Sequence, residues 1–387
     1  MTLAVLDEPI TRTSTYGEIS VRLLPGSAVS RIAPMWRTLE DALPNPSLAC
    51  GWTWTQTWLT HYGDLVPHQF AIAERDGEVR GLALVTQGVR QKRGPVPVRT
   101  VHIGTAGEPA EESVCVESNS LLVASADRAA FARGIFAAVN AGGPKWEEFL
   151  LDGFVPADAA PFLDQDASFF VRREPCPTAD LAAIRQNGGD VIAALGKSTR
   201  ASIRRSIRGF GDGTTEWSQT PEHAASIFDE LIDLHQRRWT ESGKPGVFAS
   251  HRFTGFHREL IPRLLAEDKA FLFRARGDEG TIGCLYGFIE DGRVLFYQSG
   301  FGQFADSKLS PEFVTHALCM QQCLERGLRE YDFLMGDMRY KRELSTTERK
   351  LIWAVASRRG LKGRLLTIAR QRKYAGAIGS RGDEPVS

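Results

Sequence analysis

The amino-acid sequence predicts an α/β (α+β) fold made of two similar domains in tandem, each with a mixed central sheet flanked by helices. The chain has 387 residues, whereas a globular domain usually takes about 100–200. One order of elements, strand, turn, strand, strand, loop, helix, Gly, strand, occurs twice along it. The two copies also end alike, in WEEFLLDG at 146–153 and EYDFLMGD at 330–337. A single long period of this kind indicates a duplicated domain rather than a solenoid of short repeats.

The first copy is predicted to occupy residues 21–170, after a loose tail at 1–20. Apolar residues at helical or alternating spacing define its elements. An Asp-Gly pair at 76–77 between two apolar runs indicates a hairpin. The predicted elements are helices at Ser27–Ala42, Trp52–Gly63 and Arg128–Ala141, and strands at Phe70–Glu74, Val79–Thr86, Thr100–Gly104 and Trp146–Leu151.

The second copy is predicted to occupy residues 171–374, before a disordered tail at 375–387. The boundary lies between Phe154 and Pro177, where prolines cluster. The predicted elements are helices at Ser226–Trp239, His251–Ala266 and Glu312–Arg326, and strands at Phe271–Ala275, Ile282–Phe288, Arg293–Ser299 and Tyr331–Met335.

Composition excludes several functional classes. Lys+Arg and Asp+Glu both number 47, which argues against bulk nucleic-acid binding, because that rests on many cationic contacts to phosphates. We find no signal peptide and no apolar run long enough to span a membrane, so we expect a cytoplasmic protein. The six cysteines form no C-x-x-C pair and no cluster with metal-ligand spacing; we therefore expect reduced thiols and no metal.

The segment before the predicted helix Glu312–Arg326 is a candidate anion site. Ser310 suits the N-cap and Pro311 the first helical position, and the free N–H groups of a helix start can hold a phosphate. The same pattern is equally typical of a capped helix that binds nothing. Glu312 in the first turn favours that second interpretation, since its charge would repel a pyrophosphate. The basic amphipathic helix Lys197–Arg208 is either a second phosphate-binding surface or a solvated face.

A second candidate lies where the last predicted strand opens into a turn, the place where α/β folds gather ligands. Asp337 would accept the proton of an amine or hydroxyl, Tyr340 would protonate a leaving thiolate, and Lys341 or Arg342 would hold an anionic acceptor. A solvated charged turn explains the pattern equally well. His235, on a helix beside Arg238 and Trp239, is a further candidate, although a lone helical histidine is more often structural.

These residues carry a resemblance to a known family. From about Val29 to Ser345 the chain resembles the CelD/BcsL-type GNAT (acyl-CoA N-acyltransferase) proteins, relatives of the FemABX aminoacyl transferases. The landmarks are Trp52–Trp58, Ser198–Arg205, Leu234–Trp239, Ser310-Pro311 and Tyr331–Lys341. The resemblance implies two GNAT folds, with acyl-CoA bound in the second.

The resemblance places the CoA pyrophosphate at Ser310 and Pro311, with Lys308 and the strand residue Ser299 beside it. Arg204, Arg238, Trp239 and Lys341 are then candidates for substrate binding, and Asp337, Tyr340 and His235 for catalysis. The family usually has glycine where this chain has Glu312.

The sequence therefore predicts an acyltransferase that moves an acyl group from acyl-CoA to an amine or hydroxyl of a small molecule or saccharide by direct attack. Some relatives accompany exopolysaccharide synthesis. One alternative is a FemABX-like transferase using charged tRNA, which the zero net charge and the lack of a coiled-coil arm count against. The other is a catalytically inactive GNAT scaffold, supported by Glu312. The sequence does not identify the acceptor, the acyl length or the oligomeric state.

Overall fold

The computed structural model of the chain describes residues 14–16, 19–165, 169–336, 338–368 and 370. The described residues form two compact units. The first unit comprises those within 1–55, 62–173 and 352–387, and the second comprises 56–61 and 174–351. The chain changes units at Arg173/Glu174, inside the predicted boundary region. Residues 352–370, which the sequence assigned to the second domain, belong to the first unit.

The elements follow in chain order. The strands are β1 (Ser14–Tyr16), β2 (Ile19–Pro25), β3 (His68–Arg75), β4 (Glu78–Gln87), β5 (Lys92–Arg93), β6 (Val96–Pro97), β7 (Thr100–Ile103), β8 (Leu122–Val123), β9 (Glu148–Phe154), β10 (Phe169–Asp180), β11 (Thr214–Trp217), β12 (Ala270–Gly277), β13 (Gly280–Glu290), β14 (Arg293–Phe301), β15 (Glu330–Asp332) and β16 (Thr347–Ser357). The helices are α1 (Val29–Ala42), α2 (Trp52–Tyr62), α3 (Arg128–Gly142), α4 (Pro156–Leu163), α5 (Leu181–Gln186), α6 (Val191–Ala194), α7 (Lys197–Phe210), α8 (Pro221–Glu241), α9 (His251–Leu265), α10 (Pro311–Glu325) and α11 (Arg339–Leu344). Residues 361–368 are also helical.

The sheet of the first unit runs in the order β1-β2-β3-β4-β7-β9-β16, with β8 beside β4. Neighbouring strands are antiparallel except for the parallel pair β7 and β9. The predicted Asp-Gly hairpin is confirmed, since Arg75 pairs with Glu78 at the β3–β4 turn. Helix α3 buries Phe131, Ile135 and Val139 in the core of this unit.

Several strands of this unit were not predicted from the sequence: β1, β2, β5, β6, β8 and β16. Residues 14–16 pair with 19–21 as β1 and β2, which corrects the expectation of a loose tail up to residue 20; residues 1–13 and 17–18 lie outside the described part. Strand β16 was also missed, and its residues Ile352–Ser357 pair with β9. Nearly all of the predicted tail at 375–387 lies outside the described residues as well.

The sheet of the second unit runs in the order β10-β15-β14-β13-β12-β11. Its strands are antiparallel except for the parallel pair β14 and β15. Alternation along β12 divides the two faces: Phe271, Phe273 and Ala275 join the core that holds α10, while Arg274 between them forms an ion pair with Glu230 of α8. The fold is thus mixed α/β with helices on the sheet, as the sequence predicts.

Candidate active site

The candidate site lies where the parallel pairing of β14 with β15 ends. Strand β14 pairs with β15 only through Arg293–Leu295 against Glu330–Asp332, yet β14 continues to Phe301, paired with β13 on its other side. Past Leu295 the described residues show no further pairing of β14 with β15. A strand edge of this kind can take up an extended amide ligand by main-chain hydrogen bonds. Ser299 lies on this stretch and is half-buried.

The start of α10 follows β14 after a short loop. Pro311 is the first helical residue, and the backbone N–H of Ser310 donates to Ser206 Oγ of α7 at 3.2 Å. The Ser310 hydroxyl itself makes no capping hydrogen bond. The next N–H groups of the helix therefore stay available as donors, and the helix dipole adds partial positive charge there.

The basic helix α7 lies against this helix start. Arg205 donates to the carbonyl oxygen of Lys308 at 3.1 Å, and Lys308 is exposed. Arg204 and Arg208 are exposed on the same helix. Arg205 and the start of α10 thus lie next to each other, an arrangement that suits a phosphate-bearing ligand.

The turn after β15 is held by buried charges. The Asp332 carboxylate accepts the N–H of Leu334 at 2.7 Å and forms an ion pair with Arg349. Burial raises the pKa of Asp332, and the positive charge of Arg349 opposes that shift. Leu334 has φ of 56°, a left-handed conformation that is costly for leucine and persists only where its surroundings enforce it. The Asp332–Arg349 pair supplies that constraint.

Lys341 also holds the turn after β15 through hydrogen bonds. Its ammonium is buried and donates to the carbonyl oxygens of Phe333 at 2.7 Å and Met335 at 2.8 Å. The structure therefore favours a positioning role for Lys341 over the predicted contact with an anionic acceptor, because its donors already bind the protein backbone. Asp337 lies outside the described residues.

Tyr340 stacks on a buried histidine. The Tyr340 and His316 rings are 4.8 Å apart and nearly parallel, at 17°. Burial, and then the negative charge of Glu312, raise the pKa of Tyr340, while the positive charge of Arg238 opposes them. The phenol is consequently protonated at neutral pH and can donate its proton to a thiolate. Arg238, Glu312 and Tyr340 therefore lie close enough for their charges to act on the phenol.

His235 is placed beside the open stretch of β14. Helix α8 packs closely on that strand, since a Cβ on Gly300 would lie 2.5 Å from the Leu231 carbonyl oxygen and 3.1 Å from the His235 nitrogen. The imidazole is buried, lies edge-on to Phe248 at 4.9 Å and has Nδ1 3.1 Å from the Gln236 amide oxygen. Burial lowers the pKa of His235, so the ring is neutral at pH 7. Trp239 is 38% exposed, with the Lys244 ammonium 5.4 Å from its ring centroid.

His316 was missed by the sequence analysis. It lies within the apolar stripe of α10, is fully buried, and places Nδ1 3.0 Å from the Tyr331 hydroxyl. Burial lowers its pKa well below the usual range, and the charge of Lys341 adds to that shift. A polar residue between Phe313 and Met320 was the available signal.

The corresponding region of the first unit is closed. Strands β7 and β9 pair in parallel at Thr100–His102, but the chain itself fills the space beyond. The Asn119 side chain donates to the Ile103 carbonyl oxygen at 2.9 Å and to that of Asp152 at 3.2 Å. The Asn119 backbone bridges to Phe154 of β9.

The helix start after β7 is also unsuited to a phosphate. The residue before α3 is the buried Asp127, which forms ion pairs with Arg75 and Arg80. A buried carboxylate at that point would repel an anionic ligand. The combination of a strand edge past its parallel pairing and a helix start suited to a phosphate therefore lies in the second unit.

Comparison with known families agrees with this geometry. Residues 197–342, which run from the start of α7 into α11, match the model of the acetyltransferase (GNAT) domain. The chain contains a GNAT acyltransferase domain. Its activity class is therefore acyl transfer, and the described candidate residues from Arg204 to Lys341 lie within that match. No curated protein sequence matches the chain.

Solved structures share the fold of most of the chain. FemX is 13% identical, with a TM-score of 0.55, over 83% of this chain and 95% of its own. The C-terminal domain of a putative lysylphosphatidylglycerol synthetase from Agrobacterium fabrum is 12% identical, with a TM-score of 0.52, over 88% and 96%. L-PGS from Bacillus licheniformis is 13% identical, with a TM-score of 0.51, over 87% and 95%. At these identities the likeness concerns the fold alone.

Two features are absent from the part of the chain that the structure describes. None of the described helices combines the length and apolar character needed to cross a membrane. The described residues also contain no group of three or more His, Cys, Asp or Glu side chains arranged to hold a metal ion.

Proposed function

We propose that the second unit transfers an acyl group from acyl-CoA directly to an amine or hydroxyl acceptor. The observation that carries this proposal is the stretch of β14 beyond Leu295, which leads to a helix start flanked by the basic helix α7. The pantetheine amides would pair with β14 near Ser299. The pyrophosphate would bind at Ser310 and Pro311, with Lys308 and Arg204 beside it.

The chemistry is a nucleophilic displacement at the thioester. The acceptor nitrogen or oxygen attacks the carbonyl carbon, a new C–N or C–O bond forms, and the C–S bond breaks. Asp337 is our first candidate to receive the acceptor proton, and His235 with its neutral imidazole is the second. Tyr340 protonates the leaving thiolate, and its raised pKa keeps that proton available.

The acceptor is assigned by class. Arg238 and the partly exposed Trp239 extend from the end of α8 and are our candidates for acceptor contacts. The resemblance to CelD/BcsL-type proteins supports an acceptor from polysaccharide or cell-envelope synthesis. We place the enzyme in the cytoplasm, supported by six cysteines that form no disulfide.

A test of the donor is thermal stabilisation. Acetyl-CoA and longer acyl-CoAs should raise the melting temperature at micromolar concentration, because a ligand that binds only the native state stabilises it by mass action. Arg204→Gln should weaken this stabilisation. Arg133→Gln on α3 of the first unit, which also removes one exposed arginine, should leave it unchanged. Mass-spectrometric detection of acylated amines and saccharides would then identify the acceptor. An absence of any shift with CoA thioesters would refute acyl-CoA as donor.

A second candidate is an aminoacyl transferase that uses charged tRNA. The fold shared with FemX over 95% of that chain, together with the exposed arginines of α7, favours it, because phosphate contacts dominate RNA affinity. Transfer of a radiolabelled amino acid from charged tRNA, without release of free CoA, would support it. Neither donor producing a product would favour the inactive scaffold.

A further inference from the structure

A separate surface of the first unit carries both apolar side chains and positive charge. Leu361, Leu365 and Ile368 are 78%, 59% and 46% exposed. The first two values are the highest among the large apolar side chains that the structure describes. The spacing i, i+4, i+7 places all three on one side of the helix at 361–368, and we call this side the basic apolar face.

The orientation of this helix is fixed by contacts within the unit. The Lys362 ammonium binds Glu147 at 2.7 Å and the Pro97 carbonyl oxygen at 3.1 Å. Leu366, on the opposite side, is buried. Because these contacts fix the other side of the helix, Leu361 and Leu365 face outward in the folded unit.

The sequence that contains this helix is strongly basic. No acidic residue stands between Glu348 and Asp383, whereas this interval contains ten basic residues: Arg349, Lys350, Arg358, Arg359, Lys362, Arg364, Arg370, Arg372, Lys373 and Arg381. The whole chain carries as many acids as bases, so this interval is a local concentration of positive charge. Apolar side chains flanked by Lys and Arg are the signature of a helix that lies in a membrane interface.

A cleft beside the helix at 361–368 is also lined by cationic and apolar side chains. It has a volume of about 690 Å³, and its lining includes Lys92, Arg93, Lys362 and Leu365. Two of the arginines in its lining, Arg93 and Arg370, form ion pairs with the buried Glu148. The lining holds five cations, Lys92, Arg93, Arg172, Lys362 and Arg370, against the acidic Asp152 in the lining and the ion-pair partners Glu147 and Glu148, so the net charge at the cleft is positive. Val96 at its rim is 41% exposed and adds apolar surface beside Leu365.

We infer that the first unit docks on an anionic lipid bilayer through the basic apolar face, with Leu361, Leu365 and Ile368 entering the interface and the surrounding cations contacting lipid phosphates. Charge complementarity selects this occupant over a second copy of the chain, because two copies would bring the same cations together. The inference does not depend on the donor assigned to the second unit.

The test is co-sedimentation of the full chain with vesicles. Vesicles of phosphatidylcholine with about 30% phosphatidylglycerol should bind the protein at low salt, and vesicles of phosphatidylcholine alone should bind it much less. Raising the salt to about 0.5 M should weaken binding, since the Debye length shortens. The double variant Leu361→Ser/Leu365→Ser should lower the partition coefficient at least about tenfold, because it removes most of the inserted apolar area.

Matched controls separate this surface from the rest of the unit. Arg364→Gln should reduce partitioning about fivefold, the effect expected for one cation near an anionic surface, whereas Arg31→Gln on α1 should change it little. Val29→Ser on α1, where Val29 is 37% exposed, serves as the apolar control. If the double variant fails a circular-dichroism folding check, the single Leu361→Ser variant and Arg364→Gln decide.

Three results would overturn the inference. The first is no binding to anionic vesicles at low salt, and the second is equal loss in test and control variants. The third is a dimer, seen by light scattering, that Leu361→Ser/Leu365→Ser converts to a monomer, since a second copy would then cover the face.

Discussion

The parallel strand pairs β7–β9 and β14–β15 share a topology and differ in what lies beyond them. In the first unit, Asn119 fills the space after β7 and β9 and joins both strands through its side-chain amide. In the second unit, β14 runs past its pairing with β15 toward the start of α10. The difference teaches that a GNAT-like sheet does not by itself make a donor site. In the first unit, the segment between β7 and α3 that contains Asn119 occupies the space beyond the strand pair. The corresponding segment of the second unit runs from β14 to α10.

The largest expected effect is on catalysis in the second unit. Asp337→Asn should lower turnover by about 10²–10⁴ fold, the usual loss for a general base, while the fold survives. Asp152→Asn changes the acid in the closing segment of the first unit and should leave turnover within about twofold. Steady-state kinetics of both variants would check this. Near-normal turnover of Asp337→Asn removes this residue from the mechanism.

The next effect concerns a histidine of the second unit. His257 lies between the hydroxyls of Tyr286 and Tyr297, at 3.2 Å from each. Burial, and then the charge of His61, lower its pKa from 6.5 to about 3. Between pH 6.5 and about pH 3, the unfolded chain therefore binds a proton on the His257 imidazole that the native state does not bind. The resulting stability is complete above pH 6.5 and is lost as the pH falls toward 3, by about 1.4 kcal/mol per pH unit.

Denaturant titrations at several pH values between 7 and 4 would measure that loss. The His257→Gln variant, compared with the wild type, isolates this residue from the carboxylates that titrate in the same range. The variant should be less stable at pH 7 and should show a shallower decline. Parallel curves for the two proteins would show that His257 is not the source of the pH dependence.

An intermediate effect is expected where the first unit is closed. Asn119→Ala removes two hydrogen bonds to backbone carbonyl oxygens in a fully buried position. An unsatisfied buried polar group costs about 1–3 kcal/mol, so we expect a loss of about 2–4 kcal/mol in unfolding free energy. Acyl-CoA affinity should stay unchanged. Urea denaturation and calorimetric titration of the same variant would show whether closure of the first unit is purely structural.

The smallest effect concerns Glu312 at the start of α10. Glu312→Gly removes a negative charge near the proposed pyrophosphate site and should tighten acyl-CoA binding several-fold. The loss of a favourable first-turn acid, about 0.3–1 kcal/mol, should lower the melting temperature slightly. Glu312→Gln, which removes the charge without the flexibility of glycine, should tighten binding to a similar degree. Isothermal titration at two salt concentrations would show it, and unchanged or weaker affinity in both variants would move the donor away from this helix start.

Regular elements were well predicted wherever the pattern was local. The helix predicted at Arg128–Ala141 is α3, and the one predicted at Glu312–Arg326 is α10, each within one residue at both ends. Both have long apolar stripes and clear stop signals. Strand β16 was missed because its identity as a strand depends on pairing with β9, far away in the sequence.

In the candidate site, too, local sequence signals were predicted and contacts between distant segments were not. The start of α10 at Ser310 and Pro311 was predicted because proline at the first helical position is a local signal, although the Ser310 hydroxyl makes no capping hydrogen bond. The contacts that hold Lys341 under the turn were not found, because they join its side chain to carbonyl groups of a folded turn. His316 was passed over because its importance comes from stacking on Tyr340, a residue of another element.

The sequence by itself determined the α/β class, the duplicated element order and the approximate positions of helix α10 and the turn after β15. These follow from periodicity, capping and turn chemistry, which act over a few residues. Only the tertiary structure decided which of the two strand pairs is open, because Asn119 closes one through contacts with Ile103 and Asp152. It also decided which charged side chains are committed to the protein backbone, since burial and hydrogen bonding arise only when distant segments pack together.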